Sequence, residues 1–143
     1  MVKDRVLIFD GLNVFMRHYI AHPAMSENGE QIGGIIGFYY NLINLIEKCK
    51  PESVIVMWEG GGSKRKRDLY SDYKKGSRPK KMNRYYDDSE IPDSLTNRNY
   101  QLETLIAVLS SLPVCQIYIE DAEADDAIGY LCSYKLKEKS KII

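Results

Sequence analysis

The chain has 143 residues, 44% of them apolar and 28% charged, which is the size and composition of one ordinary globular domain and excludes a disordered chain. Twenty Lys and Arg balance twenty Asp and Glu for a formal net charge of zero, and taken alone that argues against nucleic-acid binding. No apolar run approaches the ~18–20 residues of a membrane span, and Met1 to Arg5 leads directly into a strand pattern without the features of a secretion signal.

In chain order, Val6-Leu7-Ile8-Phe9 is a continuous apolar run ending in Asp10-Gly11 and predicts a fully buried strand. A short helix over about Asn13 to Ile20 follows, then a polar loop from Pro23 to Gln31. Ile35, Ile36, Tyr39, Leu42, Ile43 and Ile46 recur at helical spacing and predict a helix over 32–47, stopped before Pro51. Ser53 to Trp58 predicts a second buried strand, with Glu59 at its end and three glycines after it. Lys64 to Tyr86 is basic with interleaved tyrosines, and Asp87 to Asp93 is an acidic loop. Ser94 or Thr96 caps a helix with an apolar stripe at Leu102, Leu105, Ile106 and Leu109. A third strand spans Val114 to Ile119. Glu120-Asp121 opens a helix with Ala124, Ala127, Ile128 and Leu131 on one face, and Lys141-Ile142-Ile143 begins a fourth strand.

Short apolar strands alternating with amphipathic helices predict an α/β domain with a mainly parallel sheet. Ligands bind beyond the carboxyl ends of such strands, where Asp10, Glu59 and the Glu120 to Asp126 segment converge. No internal repeat and no second domain is visible. Cys49, Cys115 and Cys132 are odd in number, far apart and without histidine partners. They predict neither a disulfide framework nor a zinc site, but buried small hydrophobes in a reducing compartment, the cytoplasm.

Five of the seven residues from Glu120 to Asp126 are acidic. Carboxylates within ~4–6 Å resist joint ionisation, and a divalent cation relieves that repulsion. Hard oxygen donors suit Mg2+ or Mn2+. On a helical wheel Glu123 and Asp126 are neighbours, whereas Asp125 points elsewhere. An acidic helix start is also stabilised by the helix dipole without any metal. Asp10 at the end of a buried strand, with Glu59 in the matching place, tips the reading toward a metal site.

From Lys64 to Arg84 ten basic residues face two acidic ones, a net +8 over 21 residues. Lys64, Arg65, Lys66, Arg67, Lys74, Lys75, Arg78, Lys80, Lys81 and Arg84 form the kind of cluster that binds a phosphate backbone. Tyr70, Tyr73, Tyr85 and Tyr86 would stack on unpaired bases. A solvated charged loop is the plainer alternative. Gly60-Gly61-Gly62-Ser63-Lys64 lacks the spacing of a nucleotide-binding phosphate loop and reads as a hinge. His18 and His22 have no catalytic partner pattern.

These residues resemble the N-terminal part of the 5′-3′ exonuclease and flap endonuclease family, which includes the 5′-nuclease domain of bacterial DNA polymerase I and the RNase H-type nucleases of T-even-like phages. Phe9-Asp10-Gly11 with Asn13 resembles its opening strand, and Gly33-Gly34-Ile35-Ile36-Gly37-Phe38 its glycine-marked helix start. Tyr73-Lys74 with Arg78-Pro79 resembles its Y-K-x-x-R-P stretch, with one extra residue. Glu123-Ala124-Asp125-Asp126-Ala127-Ile128-Gly129 is similar to its E-A-D-D-x-I-G signature. The resemblance implies a PIN-like (Rossmann-like) fold with a basic arch-like insertion at about 62–94, and two-metal, magnesium-dependent phosphodiester hydrolysis.

Carried over by position, Asp10, Glu123 and Asp125 are metal ligands and Asp126 a ligand or outer partner. Lys74 and Arg78 contact the scissile phosphate. The segment around Lys64 to Tyr86, including Tyr73, belongs to an arch that a 5′ single strand threads. Gly33, Gly34 and Gly37 let the nucleic-acid backbone approach a helix start. The implied substrates are branched or 5′-single-stranded DNA and the RNA of RNA-DNA hybrids. Two departures stand out: Glu59 occupies a usual Asp position, and the family's D-x-D pair and helix–three-turn–helix element lie beyond Ile143. The chain is therefore expected to be the N-terminal piece of such a nuclease, with an incomplete second metal site. The alternatives are a non-catalytic nucleic-acid-binding remnant, a subunit completed by a separately encoded C-terminal half, and a compact PIN-type ribonuclease. The arch segment is expected to be disordered without nucleic acid.

Overall fold

A computed structural model of the chain describes residues 4–61, 64–69 and 95–143. The elements in order are β1 (Arg5–Asp10), α1 (Gly11–Ala21), α2 (Gly33–Cys49), β2 (Ser53–Gly60), α3 (Lys64–Leu69), α4 (Leu95–Ser110), β3 (Cys115–Glu120), α5 (Ala124–Tyr130), a π-turn (Leu131–Lys135) and β4 (Ser140–Ile142). They fall into two compact units, one made of Met1–Leu12, Cys49–Arg78 and Pro113–Ile143, the other of Asn13–Lys48 and Pro79–Leu112.

Among the described residues the sheet lies in the first unit and has four strands in the order β3-β2-β1-β4. All three pairings are parallel: Val6 lies opposite Ser53, Ile55 opposite Cys115, and Arg5 opposite Ser140. The apolar runs of β1 and β2 are continuous because both sheet faces are buried, as parallel sheets require. On one face Val6, Ile8, Ile55 and Met57 pack with Ala124, Ala127 and Ile128 of α5, and Ile117 and Leu131 extend the cluster. The other face carries Leu7, Phe9, Val54, Val56 and Trp58, all buried. The Trp58 indole N–H donates to Gln116 Oε1 at 2.9 Å, tying β2 to β3.

β3 is the weakly buried edge strand, with Tyr118 and Ile119 exposed. It runs one residue later than the sequence pattern suggests, ending at Glu120. The helix after it therefore begins at Ala124 rather than at Glu120-Asp121. β4 pairs only with Arg5 to Leu7. A Lys139–Asp4 ion pair and the Ser140 N–H to Asp4 carbonyl bond fasten its start. The three cysteines are free thiols, and none is buried in the way the sequence suggests: Cys115 is exposed and Cys49 and Cys132 are half-buried. Among the described residues no helix is long and apolar enough to cross a membrane.

The second unit is helical: α1 from Asn13 onward, α2 and α4. Its buried lines differ from the expected apolar stripes by about one residue. In α2 the buried residues are Gly33, Gly34, Gly37, Phe38 and Leu42, while Tyr39 is exposed; in α4 they are Gln101, Leu105 and Leu109, while Ile106 is exposed. Glycines mark the side where neighbours come closest, so hydrophobicity alone misplaces the inner face. The segment read as a plain polar loop contains a small hairpin, with Met25 bridged to Gln31 and Gly29 at φ +79°.

Candidate metal centre

The carboxyl ends of the strands place Asp10 at the last position of β1 and Glu59 one residue before the end of β2, both half-buried. Gly60 then organises the backbone. Its N–H donates to the Ala122 carbonyl at 3.1 Å, and its own carbonyl accepts the Asp121 N–H at 3.0 Å. A Cβ at Gly60 would sit 1.9 Å from the Ile119 carbonyl oxygen, so only glycine fits there. Gly61 (φ +83°) and Asp121 (φ +55°) adopt left-handed backbone on either side of this junction. The chain is thereby turned from β3 into the first turn of α5, where the acidic residues sit.

Glu123 is the N-cap of α5, with extended backbone (φ −82°, ψ 147°) and no side-chain capping bond. Its carbonyl accepts the Ala127 N–H at 3.1 Å, while its carboxylate is directed inward and only 1% exposed. Asp125 and Asp126 follow in the first helical turn and are exposed. Asp125 Oδ1 accepts the Asp126 N–H at 3.1 Å. One carboxylate oxygen from each of Glu123, Asp125 and Asp126 lies within 4.8 Å of the other two. This corrects the wheel argument that set Asp125 apart. Glu123 precedes the helix, so its direction is not fixed by the 100° step, and all three groups converge. Asp10 and Glu59 lie outside that 4.8 Å group.

Three hard oxygen donors in one small volume, one of them buried, fit a divalent cation. The carboxylates already hold a positive charge from their own chain. Lys66, on α3, brings its Nζ to 2.7 Å from Glu123 Oε2 and 2.9 Å from Asp126 Oδ2. Hydrogen bonds to Glu123 and then Asp126 hold the Lys66 ammonium well above its usual range, so it stays charged. The sequence grouped Lys66 with the phosphate-binding cations. Its partners stand 57 and 60 positions away in the chain, and no local pattern announces such a pairing.

Lys64, Arg65 and Arg67 also lie on α3, a short helix at the start of the segment expected to be disordered; their side chains are outside the described residues. So are Tyr70, Tyr73, Lys74, Lys75, Arg78, Lys80, Lys81, Arg84, Tyr85 and Tyr86, together with the rest of residues 70–94, including the Ser94 cap.

Within the helical unit, Gly33, Gly34 and Gly37 are buried by protein. A Cβ at Gly33 would meet the His22 carbonyl oxygen at 2.1 Å, at Gly34 the Phe15 ring at 2.5 Å, and at Gly37 the His18 ring at 2.5 Å. The start of α2 also has its acceptor already: Gln101 Oε1 takes the N–H of Gly34 at 2.9 Å and of Ile35 at 3.3 Å. The absence of a Cβ at these three glycines is what permits this close packing around the start of α2. Gln101 escaped the sequence reading because a polar residue is discounted in a search for an apolar stripe.

The family model for the 5′-3′ exonuclease N-terminal, resolvase-like domain matches residues 5–143. The chain is 31% identical over 138 residues to a flap endonuclease Xni of Shewanella woodyi, covering 96% of this chain and 47% of that protein. It is 30% identical over 125 residues to a 5′-3′ exonuclease of Aquifex aeolicus (87% and 38%) and 27% identical over 134 residues to a DNA polymerase I of Lactococcus lactis (90% and 14%). The bacteriophage T5 D15 protein co-crystallised with metal ions shares the fold at TM-score 0.64 and 19% identity, covering 94% of this chain and 45% of that one. A T5 flap endonuclease complexed with DNA and metal ions follows at TM-score 0.61 and 15% identity, covering 90% and 43%. The chain thus spans less than half the length of these relatives. With the matched model running from the first strand to the last residue, over the sheet and the carboxylate group alike, the chain belongs to the family of 5′-3′ exonuclease N-terminal, resolvase-like domains.

Proposed function

We propose that this chain is the metal-binding part of a divalent-cation-dependent 5′ nuclease acting on branched or 5′-single-stranded DNA, and on the RNA of RNA-DNA hybrids, in replication or repair in the cytoplasm. The observation that carries the reading is the convergence of Glu123, Asp125 and Asp126 within 4.8 Å, at the turn that follows the carboxyl end of β3. Bound Mg2+, with Mn2+ as a substitute, would supply a water of lowered pKa and neutralise charge building on phosphorus.

The residues divide the work. Glu123, Asp125 and Asp126 supply carboxylate oxygens to the metal, with Asp10 and Glu59 completing the acidic edge directly or through water. Glu123 is held in place from below by Ala124, Ala127 and Ile128, which anchor α5 on the sheet. Lys74 and Arg78 orient the scissile phosphate. Lys64, Arg65, Arg67, Tyr73, Lys75, Lys80 and Lys81 hold the flanking single strand by charge and stacking. Carboxylates for a second metal would come from chain beyond these residues, or from a separate C-terminal half.

The test is cleavage of 5′-flap DNA and single-stranded RNA with Mg2+, Mn2+ or chelator, by the wild type and Asp125→Asn. Metal-dependent flap cleavage abolished by the substitution supports the reading. Flap binding without cleavage restricts the chain to a binding role or to one half of a split enzyme. A preference for single-stranded RNA replaces the reading with a PIN-type ribonuclease.

A further inference from the structure

We infer that Lys66 is a built-in counter-cation of the carboxylate group, which pairs with Glu123 and Asp126 and is exchanged for a divalent ion when one binds. The inference rests on the metal-binding reading above and adds to it a coupling between the metal and α3.

Three observations carry it. Glu123 is 1% exposed, and a carboxylate so buried needs a compensating positive charge at all times. The Lys66 ammonium, at 2.7 Å, supplies such a charge. The ammonium also spans to Asp126 at 2.9 Å, so it occupies the gap between two of the three carboxylates that converge. A divalent ion takes carboxylate oxygens at about 2.0–2.6 Å, inside the distances the ammonium keeps, and two cations cannot share the gap. Binding therefore displaces Nζ.

Lys66 can leave at little cost. Its side chain is one-third exposed, so the released ammonium goes to water and not into an apolar interior. Its helix, Lys64–Leu69, is only six residues long, too short to hold itself without tertiary contacts. The ion pair to Glu123 and Asp126 is such a contact, joining α3 to the turn before α5. Exchange of ammonium for metal consequently loosens α3 and frees a cation beside the bound ion. The basic segment begins on this helix, so metal occupancy is transmitted to the part of the chain richest in positive charge.

The experiment titrates Mn2+ into the wild type, Lys66→Gln, Lys66→Arg and Asp125→Asn by calorimetry without nucleic acid. It also follows hydrogen exchange of the Lys64–Leu69 amides with and without Mn2+. With the competing ammonium gone, Lys66→Gln binds Mn2+ roughly tenfold tighter, the size expected for losing a charge-assisted contact, while Lys66→Arg stays near the wild type. In the wild type, Mn2+ accelerates exchange in α3; in Lys66→Gln exchange is already fast and Mn2+ leaves it unchanged. Unchanged or weaker Mn2+ binding by Lys66→Gln, or α3 protection insensitive to Mn2+ in the wild type, overturns the exchange. If Asp125→Asn alone loses Mn2+, the metal reading survives that failure. If no variant and no wild type binds Mn2+, both fall together.

Discussion

Gln101 is the most consequential polar residue of the helical unit, and its replacement by Met tests how that unit is held together. The side chain is fully buried on α4. Its Oε1 accepts the N–H of Gly34 at 2.9 Å and of Ile35 at 3.3 Å, and its Nε2 donates to Asn97 Oδ1 at 2.7 Å. Asn97 in turn donates to the Gln31 carbonyl at 3.0 Å. A glutamine on one helix therefore satisfies the first amides of another, a role usually taken by an N-cap side chain on the same helix. Met nearly matches Gln in shape, so the substitution removes hydrogen bonding with little change in packing. The Gly34 amide is then buried without an acceptor, at about 1–3 kcal/mol, and the longer Ile35 contact adds a smaller amount. The expected loss is about 2–4 kcal/mol, read as a lower urea midpoint at unchanged slope by far-UV circular dichroism. Asn97→Ala, which leaves both α2 amides satisfied, should cost about 1 kcal/mol. The double variant should cost less than the sum, because both residues belong to one network. A loss below ~1 kcal/mol for Gln101→Met would refute the reasoning, since the α2 amides would then be finding water or another acceptor at no penalty.

Gly60→Ala should lower the melting temperature by roughly 5–10 °C, because the new Cβ falls 1.9 Å from the Ile119 carbonyl oxygen and overpacking of that kind costs about 1–3 kcal/mol; a melt within a degree of the wild type would show that β2 and β3 part freely. His18 titrates below the usual histidine range because of burial, then the neighbouring His22 and Arg17. Its Nε2 lies 3.4 Å from the Asn41 amide nitrogen and, accepting from it, is neutral. A folded-state value below the unfolded one gives stability that is complete above about pH 6.5 and falls as the pH drops through the folded value. Urea midpoints measured from pH 8 to pH 5 should therefore decline, and the decline should flatten in His18→Gln.

The parallel sheet was legible because its strands are buried on both faces. Val6 to Phe9 and Val54 to Met57 leave no polar alternation to mislead, and each run ends at an acidic residue or close before one. The carboxylate group was legible for a similar reason: its three members lie within four consecutive positions. What escaped depends on partners distant in sequence. Glu120-Asp121 looked like a helix start, yet the Gly60 backbone bonds hold Asp121 and Ala122 in the turn and pass the N-cap to Glu123. The inner faces of α2 and α4 were offset because Gly34 and Gln101, which lie on them, count for nothing on a hydrophobicity scale. Lys66 was one lysine among ten clustered cations, and only the tertiary fold singles it out.

That lysine also changes the meaning of the chain's zero net charge. Along the sequence the two signs are segregated, with a net +8 in one stretch and five acids among seven residues in another. In the fold the two stretches meet at Lys66, Glu123 and Asp126, at 2.7 and 2.9 Å. A contact of that length on a buried carboxylate is screened far less by salt than the exposed Asp4–Lys139 pair at the far end of the sheet unit. Added monovalent salt should therefore leave the Lys66 bridge in place. A divalent ion acts differently, because it competes for the carboxylate oxygens themselves. On the metal-binding reading, the same acidic turn should therefore answer weakly to ionic strength and strongly to a divalent ion, which a titration with Na+ against Mn2+ would separate.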